Sequence, residues 1–418
     1  MTPSATYSRS LRFSRLDWNR KFSVRKAIIG FSMLVLCLFA MRAGHDRFNL
    51  PVVYIVFCLD ILGLLCIRHA GDLEYGVELL PFLGTMLLGI LIQSGFAGGY
   101  YVAKDAFSFF VLLFAMVVCV LLLCQKGYGS VIWKFISAVS LFAACCIIIQ
   151  MVLKVVGIRL DQMGTISDLS FNAWQFSDSF RPCGPFKEPA MFAQMALMGL
   201  FYCLFIRRSW VKAGILCLAL LLSTSALGLV GMVMLVGAFI LNLDKLCGVS
   251  RRVKYGVVIG SIFGFALVFA LLAWMDSYGL QRVLEGTSLG VRFLRSVDLY
   301  ALMTPLEKVA GIGLQNQQRY LNYYGIILAH DTYETISTNR EYASVLGYVP
   351  CATGLLGLVT FMFPFYRVFV HNGMRSKIMT VLFLYTCLFC CIMQHCIFVI
   401  YIMAIFATVD MERAIDNK

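Results

Sequence analysis

Arg181-Pro182-Cys183-Gly184-Pro185-Phe186-Lys187-Glu188-Pro189 closes a polar stretch of about thirty-five residues, and an apolar run, 190–206, begins directly behind it. Prolines, a glycine, two cations and a carboxylate at the lip of so apolar a helix make poor lipid-facing sequence. Irregular polar chain at membrane depth has to line protein or water, because unsatisfied backbone and charge are expensive in hydrocarbon. The stretch therefore reads as the edge of an active cleft, and the remaining chain as the frame that holds it.

The frame is apolar throughout. Hydrophobic residues make up 60% of the 418 and charged residues only 14%, with a mean hydropathy of +0.83. A soluble domain carries nearer a quarter charged residues. Apolar runs of about 15 to 22 residues recur from residue 27 almost to the end, the pattern of an all-α integral membrane protein. The formal net charge of +13 is a topology signal, not a nucleic-acid footprint. Its cations gather in a tail at 1–26 and then in alternate loops: Arg68; Lys126 and Lys134; Arg207, Arg208 and Lys212; Lys245, Arg251, Arg252 and Lys254; Arg367, Arg375 and Lys377; Arg413 and Lys418. With the tail in the cytoplasm, those loops are all cytoplasmic by the positive-inside rule. Met41-Arg42-Ala43 makes a poor cleavage site after the first apolar run, so no removable signal peptide is expected.

Spans one to five occupy 27–153, with Asp60 inside the second, where a carboxylate is functional or faces a neighbouring helix. A first long outer segment, 154–188, follows. Spans six to nine fill 189–274. Within them 210–243 would be about 51 Å long as one helix, too much for a core of about 30 Å, and basic clusters flank both its ends. A hairpin turning at Ser223-Thr224-Ser225 satisfies both facts. The second long outer segment is 275–343, spans ten to twelve lie in 344–409, and 410–418 is a cytoplasmic tail. The last apolar stretch is again too long for one span and turns at Gln394-His395. The expectation is about twelve transmembrane helices, both termini cytoplasmic, and two long segments facing outward.

Nearly all of the 16 cysteines lie inside apolar runs, so no structural disulfide is expected. Cys387, Cys390, Cys391, His395 and Cys396 match no standard zinc spacing, and cysteine serves as a small apolar residue in helices; no metal is expected. The two outer segments hold nearly balanced charge. An anion site there must come from particular arginines, whose planar fork suits phosphate oxygens. Tyr300, Tyr320, Tyr323, Tyr324 and Tyr333 give the second segment an aromatic, hydrogen-bonding character that suits sugar faces, although tyrosines also gather at membrane–water boundaries.

Arg181-x-x-Gly184-x-Phe186-x-Glu188-Pro189 before a helix resembles the signature of the O-antigen polymerase and O-antigen ligase superfamily. Leu222-Ser223-Thr224-Ser225-Ala226-Leu227-Gly228 is similar to that family's Ser-rich turn. Gly290-Val291-Arg292, Pro305 and Gly311-Ile312-Gly313 resemble its large outer loop, and Gly354-Leu355-Leu356-Gly357-Leu358 the helix after it. The match rests on order and spacing from 181 to 358, while residues 1–150 fit only as generic spans. The resemblance implies inverting glycosyl transfer on the outer face of a bacterial inner membrane, with undecaprenyl-pyrophosphate-linked oligosaccharides as donor and acceptor. It implies a chain-length regulator protein as a partner and no cofactor.

Within that chemistry a pyrophosphate leaves, and cations must neutralise the growing charge. By resemblance Arg181 and Arg292 take that role, with Arg295 one helical turn on and Lys187 at the lip. The acceptor hydroxyl needs a base, for which Glu188 and His330, with Asp331 behind it, are the candidates. Tyr320 and Tyr324 are the candidate sugar contacts. The ligases carry a His-Asn pair just before the Gly-Leu-Leu-Gly-type helix; here that place reads Asn339-Arg340-Glu341-Tyr342-Ala343-Ser344, which favours a polymerase of O-antigen, capsule or exopolysaccharide over a ligase acting on lipid A core. The rivals from other classes are a transporter or flippase, against which stands the lack of an internal repeat, and a structural membrane protein whose loops bind a partner.

Overall fold

Helix α5, Pro189–Phe201, buries every residue from Met191 onward, and the rest of the fold is arranged around it. The computed structural model describes residues 24–41, 58–60, 75–96, 98–156, 182–186, 188–243, 293–328, 343–391, 393 and 395–416. These residues form helices and connections without strands. In chain order the helices are α1 (Val24–Met41), α2 (Leu80–Phe96, led in by a 3₁₀ turn at Val77–Leu79), α3 (Ala103–Leu123), α4 (Gly129–Val155) and α5, which runs on as a π-helix at Tyr202–Arg207. Then come α6 (Trp210–Leu222), α7 (Ala226–Leu241), α8 (Arg295–Leu302), α9 (Pro305–Ala310), α10 (Gln317–Tyr324), α11 (Val345–His371), α12 (Met374–Phe389) and α13 (Cys396–Asp416). Five spans among the described residues are long and apolar enough to cross a membrane: Val77–Phe96, Ala103–Leu123, Gly129–Val155, Pro189–Arg207 and Val345–His371. Trp210–Leu222 and Ala226–Leu241 are shorter apolar helices, separated at Ser223-Thr224-Ser225, where Ser225 caps α7 by accepting from the Gly228 N–H.

α4, α5 and α13 form the centre. α13 is buried without a break from Cys396 to Asp410, and α5 packs on α4, α6, α7 and α13. A helix apolar on all sides belongs in such a position. Gly199 lets α5 close on α4, since a Cβ there would lie 2.5 Å from that of Ser140. The Ser140 hydroxyl donates across the contact to the Met195 carbonyl at 2.7 Å. Tyr401 donates to the Gln194 carbonyl and Tyr385 to that of Leu227. Close approach plus a few side-chain hydrogen bonds is how helices associate where no hydrophobic drive separates protein from lipid. Asp60 is 2% exposed and accepts from the Ser32 hydroxyl of α1 at 3.0 Å; it pairs two helices. Among the described residues no three His, Cys, Asp or Glu side chains converge where a metal could sit.

The C-terminal part of α13 closes one end of the bundle. Asp410 accepts from the N–H groups of Gly127 and Gly129 at 2.8 and 3.0 Å, and so caps α4 from another helix. Glu412 does the same for α12, accepting from the Arg375 N–H at 2.7 Å and from the Ser376 hydroxyl. Carboxylates suit helix N-termini because four N–H groups there lack partners and the dipole is positive. Arg367 pairs with Glu78 at 3.4 Å, which brings the start of α2 and the end of α11 to the same end. Asp410→Asn turns an amide donor toward one of the two N–H groups, of which that of Gly129 is buried. It is expected to lower stability by about 1–3 kcal/mol, read as a fall in melting temperature in detergent.

α3 and α4 lead away from the Asp410 end for about 30 and 40 Å respectively. Gln150, near the far end of α4, holds Gly184, and Val102 and Asp105, at the start of α3, hold Asn316 and Arg319. The described parts of both long polar segments therefore lie together at the end opposite Asp410.

Candidate active site

The approach to α5 is built residue by residue. Gly184 adopts φ +61 and donates its N–H to Gln150 Oε1 at 2.8 Å. A Cβ there would press on the Ala143 carbonyl at 3.1 Å, so glycine is required on both counts. Phe186 is 2% exposed and packs against Phe192, ring centroids 6.3 Å apart. Glu188 is extended at the N-cap, and its carbonyl accepts from Met191 and Phe192. Pro189 follows at the first helical position, where a missing N–H removes nothing. Cys183 is packed, 3% exposed, and burial, with the nearby Glu188 carboxylate, pushes its thiol up to about 12.

The second group stands on α8 to α11. α11 is broken at Gly354, where φ is +67 and ψ −170, a region open essentially to glycine alone. Into that break fits the chain after α9. Gly311 adopts φ +82 and ψ 171, the Ile312 N–H donates to the Cys351 carbonyl at 2.9 Å, and the Gly313 N–H donates to that of Ala352 at 3.1 Å. Gln93 of α2 donates to the Gly311 carbonyl. A Cβ on Gly354 would strike the backbone of Val309, and one on Gly311 the backbone of Ala352. Two glycines with positive φ thus meet here, and extended chain supplies N–H donors to carbonyls beside a helix break, as buried backbone demands.

This docking sets α10 on its supports. Gln315 donates its N–H to the Tyr348 hydroxyl at 2.9 Å, and Asn316 Oδ1 accepts from the Val102 N–H at 3.1 Å. Tyr320, 4% exposed, donates to Glu307 Oε2 at 3.1 Å. The same carboxylate oxygen accepts from the Thr304 N–H and hydroxyl, forming the capping box of α9. Burial and the Glu307 carboxylate hold the Tyr320 phenol above its ordinary value, so it stays a donor. Tyr324 lies 4.8 Å from Tyr320 and 5.0 Å from Tyr323 between ring centroids. Tyr100, from the α2–α3 connection, meets Tyr320 edge-on at 5.1 Å. Tyr323 and Tyr324 are half exposed. The result is a tyrosine shelf with a carboxylate at its edge.

Of the residues singled out for chemistry in the sequence, Arg181, Lys187, Arg292, His330, Asp331 and Tyr333 lie outside the described residues. Of the others, the structure brings together Tyr320 and Tyr324, and sets Arg295 beneath them: its guanidinium is in a residue only 2% exposed and donates to Gln318 Oε1 on α10 at 2.7 Å. Glu188 stands at the same end of the bundle on a different scaffold, the helix that packs on α4, α6, α7 and α13. Glu307, Tyr100 and Gln318 join the site without having been marked in the sequence. The one signal for Glu307 is Thr304-Pro305-Leu306-Glu307, a capping-box pattern, which reads as helix punctuation. No protein-family profile matches this chain, and no curated protein matches it either.

Proposed function

We propose that the chain is a multi-pass polysaccharide polymerase of a bacterial inner membrane, with about twelve spans and both termini cytoplasmic. It joins undecaprenyl-pyrophosphate-linked repeat units of an O-antigen, capsule or exopolysaccharide by inverting glycosyl transfer on the outer face. The observation that carries this reading is the docking of Gly311-Ile312-Gly313 into the break at Gly354. Two fragments of the superfamily-like pattern, far apart in sequence, meet through their backbones, and the contact holds the tyrosine shelf at the same end of the bundle as Glu188. The basic residues Lys126, Arg367, Arg375, Lys377 and Arg413 gather at the Asp410 end, which supports a cytoplasmic placement for that end and an outer placement for the site.

In this proposal the attacking sugar hydroxyl gives its proton to Glu188 or His330, the anomeric carbon inverts, and the bond to the pyrophosphate breaks. Arg181 and Arg292 take up the charge growing on the leaving oxygens. Arg295 braces α10 from below. The exposed rings of Tyr323 and Tyr324, with Tyr320 behind them, offer faces to the acceptor sugar, and Glu307 offers a carboxylate to its hydroxyls. Glu188→Gln is then expected to abolish polymerisation at normal protein level, and full-length chains from that variant would move the base to His330. The decisive experiment is deletion of the gene followed by electrophoresis of the surface polysaccharide. Single-repeat products support the polymerase. Chains absent from lipid A core point to a ligase, and lipid-linked repeats trapped inside point to a flippase.

A further inference from the structure

At the Asp410 end a cleft of about 190 Å³ opens between α7, α11 and α12. Its walls include Leu235 and Ala238 of α7, Phe369 of α11, and Val381 and Leu382 of α12; the polar residue among them is Lys377. The Lys377 ammonium lies 5.8 Å from the centroid of the Phe369 ring, and among the described residues neither it nor the Arg375 guanidinium pairs with a carboxylate. Glu412, close by, spends its oxygens on the Arg375 N–H and on Ser376. Phe369 and Val381 are more than two-fifths exposed at the mouth, and Phe369 stands on α11, a helix long and apolar enough to cross a membrane.

From this geometry we infer that the cleft between α7, α11 and α12 binds an anionic phospholipid, one acyl chain in the cleft and the headgroup phosphate on Lys377. Apart from Lys377 the lining is apolar, which suits part of an acyl chain and offers a free anion no second polar partner. A lysine at the rim lays its stem along apolar wall and carries its charge to headgroup level. Basic pockets between membrane helices at the cytoplasmic side recognise anionic headgroups for this reason. The cation at the rim favours an anionic lipid over a second copy of the chain, which would have to bring a carboxylate to Lys377.

The test uses the full chain in detergent, stripped of lipid and titrated with phosphatidylglycerol or phosphatidylcholine, with bound lipids counted by native mass spectrometry. Phosphatidylglycerol is expected to bind about fivefold more tightly, the contribution of one lysine near a membrane surface. Lys377→Gln, at a partly exposed position, should bring the two lipids level. Ala238→Phe, which fills the cleft, should weaken both. Equal affinities in the unmodified protein, a preference that survives Lys377→Gln, or a lipid-free dimer that covers the cleft would each overturn the inference.

Discussion

Lysine at position 181 or 292 is expected to reduce the polymer to single or few repeats while membrane insertion stays normal. Lysine keeps the charge and loses the planar fork, so the substitution separates bidentate phosphate recognition from general attraction. A donor used mainly in the transition state contributes about 3 kcal/mol, or on the order of a hundredfold in rate. Arg319→Lys supplies the contrast. Arg319 pairs with Asp105 at 2.5 Å, and both side chains are about two-fifths exposed. An exposed pair contributes about 0–1 kcal/mol and survives the change to lysine, so chain length should hold. Full-length chains from both Arg181→Lys and Arg292→Lys would make those arginines ordinary loop charges. The pyrophosphate would then have to be held elsewhere, and the polymerase reading would lose its residue-level support.

Gly354→Ala should lower the melting temperature sharply and release the loop after α9 to protease. The backbone region that Gly354 occupies costs any other residue about 1–3 kcal/mol. The new Cβ also meets the backbone of Val309, and overpacking of that kind adds about 1–3 kcal/mol. Gly311→Ala meets the backbone of Ala352 from the other side and should do the same. The loss ought to fall on residues 293–328 before it reaches the central helices, so polymer length should collapse even in protein that remains membrane-inserted. Gly84→Ala, with open space around its Cβ, is the control and should be silent. A Gly354→Ala protein that melts like the control would mean that the loop does not depend on the break.

The helical membrane character is legible because apolar runs and basic loops obey one-dimensional rules. The turn between α6 and α7 is readable for the same reason, since length and flanking charge leave little else to do with 210–243. Pairing is what the sequence hides. Gly354 stands just before Leu355-Leu356-Gly357-Leu358, a context that reads as uninterrupted helix, and its broken geometry depends on donors that arrive from Ile312 and Gly313. Arg295 reads as the partner of Arg292 by helical spacing, yet its own burial and its bond to Gln318 follow from where α10 is set. Glu307 reads as a cap, which it is, and its second bond to Tyr320 appears only when α9 and α10 fold back on each other. Asp410 and Glu412 look like the polar finish of an apolar helix, and nothing local announces that their partners lie at Gly127 and Arg375.

Those two carboxylates also impose a timetable on biosynthesis. Gly129 leaves the ribosome 281 residues ahead of Asp410, a delay on the order of tens of seconds at ordinary elongation speeds. Through that interval the N-terminus of α4 has no carboxylate to neutralise it, whereas α12 waits only the time needed to make 36 residues. The nascent bundle thus lacks the Asp410 latch until codon 410 has been translated. A ribosome that stalls before codon 410 leaves the N-termini of α4 and α12 without these two carboxylates.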